Sequence, residues 1–125
     1  MFHQNLKHRA VKLGLRGGDL AALINLSAPK MSNFFRGRSS LDAAKLRELI
    51  ETLDDLERLK TFFPVPVGGT SVAELAVALD RFRQGKFTSF EKLTKAINWE
   101  TPEGLERKFP KIFKEKKHAY TERVI

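Results

Sequence analysis

GLRGGDLAALINLSAPKMSNFFRG, residues 14–37, is the stretch that decides the fold. Asp19 to Ile24 is an apolar-rich helical run. Asn25 follows, and Asn tolerates the left-handed backbone by which a chain leaves a helix. Leu26 reads as the buried staple of the turn. Ser27 suits the N-cap of a second helix, because its hydroxyl can accept an orphan backbone N–H. Pro29 falls in that helix's first turn, where a missing N–H costs little. Gly37 supplies the stop. The spacing predicts helix, short turn, helix, at the length of a pair that reads DNA.

The residues resemble the helix-turn-helix of lambda-repressor-like (Xre-type) regulators. That pattern is carried by Gly14-Leu15, Leu20-Ala21, Ile24, Asn25 in a position usually held by Gly, Leu26, Ser27, Met31 and Gly37, all in register without a gap. Two positions depart from it. Gly17-Gly18 stands where family members often carry a phosphate-touching Gln, and the reading helix begins Ala28-Pro29, without polar side chains for bases. The resemblance covers residues 5–60 and implies an all-α fold: a lambda-repressor-like helix-turn-helix bundle, here with a C-terminal helical subdomain.

Charge placement agrees with that implication. The chain of 125 residues carries a net +8, and residues 1–38 hold seven basic residues against Asp19 alone. Residues 39–64 hold four basic and six acidic residues, so the basic excess sits on the helix-turn-helix, as a phosphate-facing surface requires. Ten Phe and a 42% hydrophobic fraction are enough for a core and argue against disorder. With no Cys there is no disulfide framework, and His3, His8 and His118 have no ligand spacing, so no metal and no cofactor is expected. No apolar run of about 18 residues exists to span a membrane, and the start lacks a signal peptide's apolar centre, so the expected compartment is the cytoplasm.

Upstream, Asn5 to Leu13 reads as the first helix, with Leu6, Ala10 and Leu13 on one face. On the helix after the turn, the 3.6-residue period sends Met31, Phe34 and Phe35 inward and Ala28, Pro29, Ser32, Asn33 and Arg36 outward. Asn33, Ser32, Pro29 and Ala28 are therefore the candidate base contacts. Lys30, Arg36, Arg38, Arg16 and Ser27 are the candidate phosphate contacts.

Downstream, Ser39 to Asp42 opens a helix with Leu46, Leu49, Ile50 and Leu53 at helical spacing, and Asp54-Asp55 reads as the start of another turn ending in Phe62 and Phe63. PVPVGGT (64–70) bars regular helix and reads as a linker, dividing a DNA-binding domain (1–63) from a helical dimerisation or partner-binding subdomain (71–125). On that division, a chain ending at Pro64 is expected to fold alone. Ser71 and Glu74 form a capping box for a helix through Gln84, with Gly85 its stop and Val72, Leu75, Ala76, Leu79 and Phe82 its core face. Further helices are expected at Phe90–Ile97 and after Thr101-Pro102-Glu103, with a break at Pro110 and a basic tail from Lys111 to His118. Residues 93–109 share Leu, Ile-Asn and Pro with 20–35 at a constant offset, too few identities in a helical background to argue duplication.

No nucleophile–base pattern surrounds Ser27, Ser39, Ser40 or Ser89, and neither Gly pair has the Lys-Ser/Thr of a phosphate loop, so no enzyme is expected. Trp99 and Tyr120 read as packing residues. The sequence therefore suggests a sequence-specific regulator that binds double-stranded DNA as a homodimer on an inverted repeat, repressing by occlusion. The alternative is an antitoxin-like or adaptor protein whose residues 71–125 bind a protein partner, with DNA binding secondary.

Overall fold

The structure is a computed structural model and describes residues 2–60, 67, 71–85 and 104–113. Among them there is no strand. The helices with described bounds are, in order, α1 (Phe2–Lys12), α2 (Gly17–Leu23), α3 (Ala28–Phe35), α4 (Ala43–Leu59), α5 (Val72–Arg83) and α6 (Leu105–Lys108), and residues 110–113 are helical again. The expectations for Phe62, Phe63, the 90–97 helix, Trp99, Tyr120 and residues 114–118 lie outside the described residues.

The local signals act where the chain chemistry puts them. Ser27 Oγ accepts the Lys30 N–H at 3.3 Å, and Ser71 Oγ accepts the Glu74 N–H at 3.2 Å. Asp42, closest to its helix in the run from Ser39, is the cap of α4 and takes the Lys45 N–H at 2.7 Å. The first three helices end alike. At Asn25 (φ 55°) the Leu26 N–H returns to the Ala21 carbonyl at 2.8 Å, closing orphan carbonyls of α2 in a six-to-one turn. Gly14 and Gly37 terminate α1 and α3 by the same bonding.

α4 differs from the expectation. It runs unbroken to Leu59, with no restart at Asp54-Asp55. Leu49, Leu53, Leu56 and Leu59 keep one buried face through that point, and both aspartates are held from neighbouring helices. Asp54 and Glu57 accept from the Arg9 guanidinium of α1, while Asp55 accepts from Arg83 of α5 at 2.9 Å. Arg83 also reaches the buried Thr52 hydroxyl at 3.1 Å. Hydrogen bonding to Glu57 first, and then to Asp54, holds the Arg9 guanidinium more firmly in its charged form, against the cost of its partial burial.

The stretches on either side of 64–70 share one hydrophobic core. It runs from Leu6 and Ala10 on α1 through Leu20, Ile24, Met31 and the α4 leucines to Leu75, Leu79, Leu105 and Phe113. α5 packs on both α4 and α2. Every residue from Leu75 to Asp80 is buried, so this helix is enclosed on more than the single face that its periodicity implies. Buried Asp80 is matched by Lys108 of α6 at 2.5 Å and by Gln84 at 2.9 Å. The break expected at Pro110 falls at Phe109, whose backbone leaves the helical region. Beyond it, the chain that read as the start of a basic tail buries Ile112 and Phe113.

Candidate nucleic-acid interface

α3 is a short helix with two unlike sides. Met31, Phe34 and Phe35 are buried, with the Phe34 and Phe35 ring centroids 5.8 Å apart, and they seat the helix on α1 and α2. Ala28, Pro29, Lys30, Ser32, Asn33 and Arg36 are exposed. The expected outward face is therefore the one that meets solvent. Eight residues span about 12 Å, a length that fits within a DNA major groove.

The candidate residues sort into distinct settings. The side chains of Ser32 and Asn33 make no hydrogen bond among the described residues, so their polar groups are available, Asn33 with a donor and an acceptor on one planar amide. Ala28 and Pro29 offer only apolar surface at the start of the helix. Ser27 is half-buried and its oxygen already accepts the Lys30 N–H, which leaves its hydroxyl proton as the group free to donate. Arg16, Lys30, Arg36 and Arg38 are exposed and make no ion pair among the described residues.

Not every basic residue of the N-terminal excess belongs to this surface. Arg9 is pinned to Asp54 and Glu57 of α4, so its charge is answered within the fold. Sequence position alone could not separate it from the others, because its partners lie more than 40 residues away. Gly17 and Gly18 form the first turn of α2 without a side-chain cap. A Cβ at Gly18 would meet nothing within 4 Å, so that glycine is not required for space.

α1 also brings in groups that the sequence did not mark. The His3 ring lies over Gly37 and meets Phe34 edge-on, with centroids 6.4 Å apart. With Phe2, Arg38, Ser39 and Ser40 they line a shallow cleft of about 460 Å³ at the C-terminal end of α3. No carboxylate lines it. A second cleft, about 470 Å³, lies among α2, α4, α5 and α6. Its charged groups are paired: Asp80 with Lys108 within the cleft, and Arg83 and Glu48 with Asp55 and Lys45, which do not line it.

Among the described residues no cluster of His, Asp or Glu could hold a metal ion, and no helix is long and apolar enough to cross a membrane. Comparison of the chain with protein families, with curated proteins and with solved structures gives no match.

Proposed function

We propose that this protein binds double-stranded DNA through α2 and α3 in the manner of a lambda-repressor-like helix-turn-helix, and regulates transcription by occluding its site. One observation carries the reading: an exposed α3 face without a carboxylate, set after a tight turn, with Lys30, Arg36 and Arg38 exposed on it or just beyond its end and Arg16 exposed at the start of α2. Phosphate contacts from such residues supply affinity, and outward polar groups on the helix supply sequence preference. Asn33 is the strongest base-reading candidate, because an Asn amide can pair with both N6 and N7 of adenine.

A homodimer belongs to this reading, because one short helix covers few base pairs and two of them must sit roughly 34 Å apart to meet successive turns of the groove. The apolar run of α5 is buried in the chain's own core, so this reading assigns the dimer contact to other surface. Selection of bound fragments from total genomic DNA, followed by sequencing, tests the reading. Enrichment of an inverted repeat supports it. Recovery of fragments without a shared sequence would leave only non-specific polyanion binding.

A further inference from the structure

Ser39 and Ser40 stand in the non-helical connection between α3 and α4, and both are exposed. Neither hydroxyl makes a hydrogen bond among the described residues. The main-chain bonds of the α3 cap end at the Ser39 N–H, 3.4 Å from the Asn33 carbonyl, and the N–H groups of Ser40, Leu41 and Asp42 donate to no main-chain carbonyl among those residues, so presenting the segment to an enzyme's groove opens only the C-terminal cap of α3. Two exposed arginines precede the pair, Arg36 and Arg38, separated by Gly37. Arg38 and both serines line the cleft beside His3 and Phe34, where no acidic side chain competes. Asp42, the nearest acid in the chain, is occupied as the cap of α4.

We propose that Ser39 and Ser40 form a phosphorylation site, read by a serine kinase with an acidic substrate groove through Arg36 and Arg38, whose product switches off the basic face. The serine Oγ attacks the γ-phosphorus of a nucleoside triphosphate. A new O–P bond forms, the bond from that phosphorus to its bridging oxygen breaks, nucleoside diphosphate leaves, and the hydroxyl proton passes to the kinase's base. The added group carries a charge of about −1.5 to −2 and three acceptor oxygens. The Arg38 guanidinium on the same cleft wall is its natural partner, and charge-assisted pairing of this kind orders a loop. The phosphoryl group thus takes up cations that otherwise meet DNA phosphates. This consequence rests on the DNA-binding reading, whereas acceptance of the phosphoryl group does not.

The full chain is incubated with ATP and an arginine-directed serine kinase, and the modified positions are mapped by mass spectrometry. Phosphate is expected at Ser39 or Ser40, is lost in the S39A/S40A double variant, and is strongly reduced in R36A/R38A. Labelling confined to other serines overturns the site. In a second arm, chain carrying phosphoserine at position 39 or 40, introduced by semisynthesis, is titrated against DNA beside the unmodified chain. Affinity should fall at least tenfold near 0.1 M salt, and the slope of log K against log salt should shrink by about two units. Equal affinity and equal slope overturn the switch. If the unmodified chain itself binds no DNA, the DNA reading fails and the switch fails with it, while the labelling arm still decides the acceptor.

Discussion

Lys45 Nζ donates to the main-chain carbonyl of Ile24 at 2.7 Å, so the first turn of α4 closes the end of α2 where the chain turns toward α3. The same ammonium pairs with Glu48 at 3.0 Å. A cation at a helix C-terminus answers its orphan carbonyls and the negative end of its dipole. Replacing Lys45 by Met keeps the aliphatic stem and removes the donor. The variant should lose about 1–2 kcal/mol in urea unfolding, and Glu48→Gln should lose less than half of that. Equal losses would mean that the ion pair, rather than the carbonyl, is what Lys45 serves.

Gly37 is constrained twice. Its φ of 74° is costly for any residue with a Cβ, and a Cβ there would come within 2.9 Å of His3 Nε2. Gly37→Ala should destabilise by about 1–2 kcal/mol from backbone strain alone, plus whatever moving the imidazole costs. A double-mutant cycle with His3→Ala separates the two parts. The second substitution should recover the steric part and leave the backbone part, and a coupling energy of zero would mean that the ring swings aside freely.

The basic residues of the N-terminal half should divide into two functional sets. Arg9→Ala removes partly exposed ion pairs with Asp54 and Glu57, so about 1 kcal/mol of stability or less is lost and the salt slope of DNA binding is unchanged. Lys30→Ala, Arg36→Ala and Arg38→Ala should each leave stability unchanged and reduce the salt slope by about one unit. Thermal unfolding and fluorescence titration at several salt concentrations, run on all four variants, check the division. A slope that falls in Arg9→Ala would place the DNA face on α1.

Asn33→Ala should cost about 1–3 kcal/mol on the selected site and relax preference at one base pair, because a paired amide is lost from an otherwise unaltered helix. Competition against single-base variants of the site measures both. Unchanged preference would move base reading elsewhere on α3.

A chain ending at Pro64 should unfold, despite containing all of α1–α4. Without α5, the leucines of α4 lose the residues 75–80 that cover them, a loss of several large side chains' burial at about 1.5–3 kcal/mol each. Circular dichroism and amide spectra of the truncated and full chains decide it. A truncated chain with dispersed amide resonances would restore the division into independent units that the Pro/Gly-rich stretch suggested.

What could be read from the sequence was what short-range chemistry dictates. Ser27, Ser71 and Gly85 act within three or four residues of themselves, and a cap or a stop needs no distant partner. The inward and outward sides of α3 follow from the helical period alone. The enclosure of α5 was hidden because a helix buried on several sides has no polar face to give it away, and Asp80 in its buried run looks like a surface residue until Lys108 is beside it. The cleft at the end of α3 was hidden for a different reason: His3 and Gly37 meet only through the docking of α1 on α3. Asp54-Asp55 misled because adjacent acids commonly open a helix, whereas these are anchor points for arginines on two other helices.

The enclosure of α5 also has a consequence for how the chain is made. On the ribosome, α1–α4 emerge first, with the apolar side of α4 still uncovered. The stretch that covers it ends at Asp80, about 20 residues after Leu59, which takes roughly one to four seconds to synthesise at 5–20 residues per second. For that interval the nascent α1–α4 unit keeps an uncovered apolar side and, on the truncation prediction above, should not hold a stable fold. The proposed DNA-reading helix reaches its final position only once the following segment has been translated, so a message truncated before codon 80 yields a product fit for proteolysis rather than a free DNA-binding fragment.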